Sequence, residues 1–189
     1  MKRSTGPDLG AVAARARAGD SAARTELLRE LYAVVRRHVY LTIGGGPVAD
    51  DAVQETMIAL YRGLDGFRGE ASPKTWAITI ASRTARRMRR REGRQVPTEE
   101  IDTAVFDVDQ QSAGELVMLR RALGSLTEKK RDAFVLMSIF ELTAEEAGKA
   151  LGTFANTAAS RDRHARAELQ KYFDEAGSDV ATNTERETA

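Results

Sequence analysis

Seven arginines crowd the twelve positions from Arg83 to Arg94, in the segment RTARRMRRREGR, with Glu92 the single acid among them. On a helix, Arg83, Arg86, Arg87, Arg90 and Arg94 fall on one face by three- and four-residue steps. Guanidinium forks fit phosphate oxygens, and each neutralised phosphate releases counterion. Such a face would hold nucleic acid in a salt-dependent way. The plainer reading is a solvated helix end whose cations offset the helix dipole. Upstream, in DDAVQETM, Asp51, Gln54 and Glu55 lie on the side of a helix away from Val53 and Met57. A carboxylate–amide–carboxylate set suits a basic partner helix, or is simply a wet face. Phe67 and Trp76 flank the loop before the arginines. Aromatic planes stack on unpaired bases, yet single rings at helical spacing are more often core. Trp76 reads as core, and Phe67 is open between the two.

A short helix, a turn at Gly152 and a longer helix over 143–173 have the outline of a helix-turn-helix, whose second helix enters the major groove. That helix would offer Asn156, Thr157, Ser160, Arg161, Arg163, His164 and Arg166. A plain helical hairpin in a bundle fits the same pattern. Catalysis has less to stand on. There is no cysteine, which removes thiolate chemistry, and the two histidines, His38 and His164, are far apart in sequence. Gly44-Gly45-Gly46 lacks the Lys-Ser/Thr of a phosphate-binding loop and reads as a hinge. His38 reads as structural. No enzyme activity, metal or cofactor is expected. The apolar runs are too short to span a membrane, and no secretory signal opens the chain, so a cytoplasmic protein without membrane insertion is expected.

The elements that must position these groups are all helical. Asp8 precedes an Ala/Arg-rich helix; Gly19 fits its stop and Asp20 the next N-cap. A longer helix then runs to about Ile43, with Leu27, Leu28, Leu31, Val34, Val35 and Val39 recurring at helical steps. After GGGP, a third helix puts Val53, Met57, Leu60, Tyr61 and Leu64 on one face. Ser72-Pro73 starts a fourth, which carries Trp76, Ile80 and Thr84 along one side and runs into the arginines. Helix returns at Glu115–Gly124 and again after Thr127, through Phe140. Thr143 and Glu146 form a capping box, and a last helix spans about Ala155–Phe173. The 189 residues, 42% apolar and 30% charged, carry a net charge of only +1. That total hides segregation: 1–95 carry +8, 96–114 carry −5, 115–173 carry +2 and 174–189 carry −4. Blocks of unlike sign indicate folded units separated by a linker. The expected organisation is one helical domain over 8–92, an acidic linker over 93–114, a second helical domain over 115–173 and a disordered acidic tail over 174–189.

In this order the pieces resemble an RNA polymerase sigma factor of the extracytoplasmic function group, over about residues 8–173. The stretch DDAVQETMIALYRGLDGFRGEASPKTWAITIASRTARRMRRR resembles the group's second conserved region, and ALGSLTEKKRDAFVLMSIFELTAEEAGKALG resembles the start of its fourth. The resemblance implies a promoter-specificity subunit that acts with core RNA polymerase and promoter DNA. An anti-sigma protein is an expected further partner. Asp51, Gln54 and Glu55 match the motif that docks on the polymerase. The loop from Phe67 through Arg68 to Ser72 matches the one that captures a flipped base of the minus-ten element. Lys74, Thr75, Arg83, Arg86, Arg87 and Arg90 match the helix along the non-template strand. The last helix matches the reader of the minus-thirty-five element.

Several positions depart from that pattern. Ala158 stands where a larger aliphatic is usual, Ala159 where a lysine is, and Asp162 where a leucine faces the core. A buried carboxylate at 162 must be paired, exposed or protonated. Gly148 thins the preceding helix, and Ser82-Arg83 replaces the common arginine–asparagine pair. These changes leave a second reading open: a degenerate sigma-like regulator that binds polymerase or an anti-sigma protein without reading the minus-thirty-five element. A dimeric helix-turn-helix repressor would explain the second domain but not the first.

Overall fold

Asp8 starts the first helix. Its carboxylate accepts the N–H groups of Gly10 at 2.9 Å and Ala11 at 3.4 Å, and α1 follows over Leu9–Arg17. The computed structural model describes the backbone of residues 7–92 and 110–187, and side chains over 7–91 and 117–175. Gly19, at φ 95°, turns the chain, and Asp20 caps α2 (Ser21–Ile43) by accepting Ala23 N–H at 2.9 Å. The Ala23 N–H, and then Arg15, hold the Asp20 carboxyl below its ordinary range. Gly46 (φ 94°) precedes Pro47, the first residue of α3 (Pro47–Gly63). A 3-10 turn over Leu64–Gly66 leads to the loop before α4 (Pro73–Glu92), where Ser72 Oγ accepts Thr75 N–H at 3.0 Å. Further along come α5 (Gln110–Ser125), α6 (Glu128–Phe134), α7 (Ala144–Leu151) and α8 (Ala155–Glu187). No strand occurs among the described residues, as the all-helical reading expects. The chain divides into two compact units, Met1–Glu100 and Ile101–Ala189.

In the first unit α2 is the central post, packed against α1, α3 and α4. Leu27, Leu31, Val35 and Val39 recur every fourth residue and are fully buried. Small side chains let the neighbours come close: Ala13 and Ala16 on α1, Ala49 and Ala52 on α3, and Ala77, Ala81 and Ala85 on α4 are all buried. The core face of α3 is Ala49, Ala52, Val53, Thr56 and Leu60. It is rotated from the expected face: Tyr61 is 55% exposed and Met57 only half-buried. Alanine and threonine fit this narrow interface, and Thr56 hides its hydroxyl on Ala52 O at 2.7 Å. His38 and Ser82 make a buried polar joint between α2 and α4, with Ser82 Oγ 2.9 Å from His38 Nε2. Ser82 also donates to Ile78 O at 2.8 Å, so His38 is structural and Ser82 has a packing reason to be small and polar.

The second unit packs α6 and α7 on α8. After α6, a π turn over Val135–Ile139 interrupts the helix expected through Phe140. Its extra residue is accommodated by Phe140 N–H bonding to Val135 O at 3.1 Å and by Glu141 in the left-handed region, φ 58°. The Thr143 capping box is present, with Glu146 N–H on Thr143 Oγ1 at 3.2 Å and Thr143 N–H on Glu146 Oε2 at 2.9 Å. Gly152 ends α7 at φ 64°, ψ 44°, the left-handed stop that glycine favours. Ala158, Asp162, Ala165 and Leu169 form the buried stripe of α8.

Two boundaries and the role of one glycine differ from expectation. Helix α5 begins at Gln110, inside the segment assigned to the linker, while 93–109, Arg94 among them, lie outside the described residues. Helix α8 continues to Glu187 instead of yielding to a disordered tail at 174. That stretch has no proline, and its one glycine, Gly177, costs a helix only about 1 kcal/mol. Gly148 is the third correction. It does not merely thin α7; a Cβ there would sit 2.9 Å from Thr153 O and 3.1 Å from Ala155 N. The glycine permits the close crossing of α7 and the start of α8. Gly148→Ala should therefore destabilise the protein by about 1–3 kcal/mol, overpacking outweighing the gain in helix propensity. Urea unfolding checks this; a higher midpoint for the variant would refute the close-crossing account.

Candidate nucleic-acid and partner interfaces

Because α2 buries one face of α3, the opposite face is turned outward. Asp51 and Gln54 are exposed there, and Glu55 is half-buried. Asp50, one residue before Asp51, is tied down by Tyr40, whose hydroxyl donates to Asp50 Oδ1 at 2.6 Å. Burial, and then this bond, push the Tyr40 phenol above its ordinary range. Beside the acidic set lies an open groove lined by Tyr32, Val53, Gln54, Met57, Ile58 and Tyr61. Tyr32, Ile58 and Tyr61 are exposed, with Arg24 stacked 5.4 Å from the centre of the Tyr61 ring. Sequence reasoning missed this apolar patch. Its signal was an apolar stripe on α3 too wide for one buried face, since Val53, Met57, Ile58, Leu60 and Tyr61 together cover more than the core contact uses.

Helix α4 presents Arg83, Arg87, Arg90 and Arg91 outward, and Arg86 half-buried. Arg89 points the other way. It is 7% exposed, and its Nη1 donates to Thr42 O at 3.3 Å, holding the end of α2. That is a favourable place for a cation, since the last carbonyls of a helix carry partial negative charge. Glu55 and Arg87 form a surface ion pair, so the acidic set on α3 and the basic face on α4 meet within one unit. Together, the outward guanidinium groups form a ridge able to track a phosphate backbone.

In the loop before α4, Arg68 and Lys74 are exposed and Thr75 is half-buried. Ser72 is exposed, and its hydroxyl caps the helix. Phe67 is different. It is 7% exposed, with its ring centre 4.9 Å from that of Trp76. Of the two roles its sequence position leaves open, Phe67 takes that of a packed core ring here. Its ring faces the bundle because the 3-10 turn, closed by Phe67 N–H on Leu64 O, draws it in beside the buried Leu64.

On α8 the buried stripe fixes what faces outward. Asn156, Arg163, His164 and Arg166 are exposed, and Thr157, Ser160 and Arg161 are half-buried. Asp162 takes the core position expected of leucine and is 6% exposed. Its charge is paired: Ser138 Oγ donates to Oδ1 at 2.5 Å, and Arg166 Nε to Oδ2 at 2.9 Å. Ser138 belongs to the π turn, which ties that irregular segment to the presented helix. Arg166 is thus partly engaged within the chain.

Comparisons with known proteins agree with this layout. Residues 24–95 match sigma-70 region 2, and residues 116–169 match sigma-70 region 4. The chain is 29% identical over 155 residues to the ECF RNA polymerase sigma factor SigM of Mycobacterium tuberculosis, covering 82% of this chain and 79% of that one. It is 33% identical over 132 residues to the ECF RNA polymerase sigma-E factor of Escherichia coli, covering 61% of this chain and 69% of that one. Two solved structures share the fold. CnrH, in complex with the cytosolic domain of CnrY, aligns over 89% of this chain and 99% of its own, with a TM-score of 0.62 at 24% identity. The sigma factor RpoE of Bartonella quintana, in complex with the anti-sigma factor NepR, aligns over 79% and 96%, with a TM-score of 0.66 at 23% identity. Two conserved regions in the right order, together with these sequence relatives, make this chain a member of the extracytoplasmic function family of RNA polymerase sigma factors.

Proposed function

We propose that this protein joins core RNA polymerase, selects promoters and lets transcription begin, using the outward face of α3 for docking and α4 and α8 for DNA. One observation carries the assignment of faces. The bundle around α2 turns Asp51 and Gln54 outward on α3 while presenting the arginine ridge on α4. Opening a promoter costs a few kcal/mol for each base step unstacked. A rigid basic ridge offsets that cost by holding the freed strand through its phosphates. In this reading the polymerase forms the phosphodiester bonds, and the sigma factor contributes binding and positioning only.

The minus-ten contacts fall to Arg68, Lys74 and the exposed arginines of α4, with Ser72 and Thr75 shaping the loop. The minus-thirty-five contacts fall to Asn156, Thr157, Ser160, Arg161, Arg163 and His164, with Arg166 held partly by Asp162. Pairing of Asp162 by Ser138 and Arg166 supports a working recognition helix over a degenerate one, because the carboxylate is accommodated without breaking the fold. An anti-sigma protein is proposed as a partner. The Tyr32, Met57, Ile58 and Tyr61 groove offers the apolar surface that such a regulator would cover. The protein acts in the cytoplasm, and at the nucleoid when bound to polymerase. Among the described residues, no helix is long and apolar enough to cross a membrane.

Asp51→Ala with Gln54→Ala should weaken binding to core polymerase about ten- to thirtyfold, the loss of two polar contacts. Circular dichroism melting should stay within about 0.5 kcal/mol, as for exposed sites. Wild-type affinity in the double variant would remove the docking role. Replacing Arg83, Arg87 and Arg90 by glutamine should lower holoenzyme affinity for a pre-melted promoter fragment. The log–log salt slope should flatten by about 2, at roughly 0.7 per phosphate on single strands. An unmoved slope would show that α4 does not touch phosphates.

A further inference from the structure

The residue that opens α8 breaks two local rules at once. Phe154 holds the cap position: its carbonyl accepts the N–H groups of Thr157 and Ala158, both at 3.0 Å, and the helix begins at Ala155. Caps favour Ser, Thr, Asp and Asn, whose side-chain oxygens satisfy a free backbone N–H. A phenyl ring supplies no such acceptor. The ring is also 85% exposed, more than any other large apolar side chain among the described residues. Serine at this position would gain a cap and remove an exposed ring. Conflicts of this kind between local preference and the residue present concentrate at functional sites.

The surroundings define what the ring meets. Its anchor is rigid: Gly152 closes α7, Thr153 N–H bonds to Gly148 O at 2.9 Å, and the Gly148–Ala155 crossing has no spare room. The ring therefore projects from a fixed point at the N-terminal end of the helix assigned above to the major groove. Residues at that end of a recognition helix are the ones that meet base edges. Two positions on, Asn156 is exposed. The C5-methyl of thymine is the apolar group displayed by an unmodified base pair in that groove, and phenylalanine is suited to it. A protein partner fits less well. Docking patches extend over several hundred Å², whereas the other exposed large apolar side chain described in this unit is Met118, on α5.

The geometry points to Phe154 as a specificity residue that packs on a thymine methyl within the minus-thirty-five element. This rests on the sigma factor reading and adds to it a base and a residue outside the polar set on α8. The test uses holoenzyme, the full chain with core polymerase, and minus-thirty-five sequences selected from a randomised promoter. Each selected thymine is then replaced by deoxyuridine, which removes only the methyl. One replacement should weaken binding of the wild type about three- to fivefold, the loss of one buried methyl. Phe154→Ala should bind the thymine and deoxyuridine forms equally and keep the wild-type urea midpoint. Phe154→Ser should also lose the discrimination while raising that midpoint. If every replacement affects wild type and Phe154→Ala alike, the assignment of Phe154 is overturned and minus-thirty-five reading stands. If the wild type selects no minus-thirty-five sequence, both fall. If Phe154→Ala weakens polymerase binding and leaves thymine discrimination intact, the ring meets protein and the proposal is wrong.

Discussion

Everything the first unit presents depends on burying one stripe of α2. Leu27, Leu31, Val35 and Val39 sit four residues apart, so they form a single ridge, and α1, α3 and α4 close over it. Each such side chain is worth about 1.5–3 kcal/mol when fully buried. That is large beside a typical net stability of about 5–15 kcal/mol. The ridge also sets orientation. With one side of α3 and one side of α4 committed to α2, the acidic set and the arginines have only the outward side left. The buried His38–Ser82 contact and the Arg89 hydrogen bond to Thr42 O add directional links to that apolar packing. Function here follows from what packing leaves outside.

The second unit solves a different problem, that of bringing a short helix close to a long one at a fixed angle. Gly148 and Gly152 act on the same turn by separate means, the first by having no Cβ at the crossing and the second by adopting a left-handed conformation. Asp162 then holds the long helix to the π turn through Ser138 while engaging Arg166. A leucine at 162 would have given packing alone. The carboxylate gives packing with direction, and removing either partner would leave a buried polar group short of a hydrogen bond, a costly arrangement.

Local chemistry was the most legible part of the sequence. The caps at Asp20 and Thr143, the glycine stop at Gly152 and the proline start at Pro73 all follow from residue type and spacing, and they stand where expected. The outward placement of Asp51, Gln54, Arg83, Arg87 and Arg90 was legible for the same reason. Packing partners were less so. The core face of α3 was misjudged because Ala49, Ala52 and Thr56 carry little hydrophobic signal yet fill a narrow contact. Phe67 gave no local clue that Trp76 would receive it. Gly148 looked like a weak helix residue because its neighbour, Ala155, is near only in three dimensions. Asp162 was recognised as a problem from the sequence, but Ser138, 24 residues earlier, could be found only in the fold.

The most direct measurement is run-off transcription from a promoter library, using purified core RNA polymerase with and without this protein. Transcripts that appear only when it is added, and that share an upstream sequence motif, are the predicted result. No added transcripts, from protein shown to be folded and bound to polymerase, would contradict promoter selection and leave the chain as a polymerase-binding regulator.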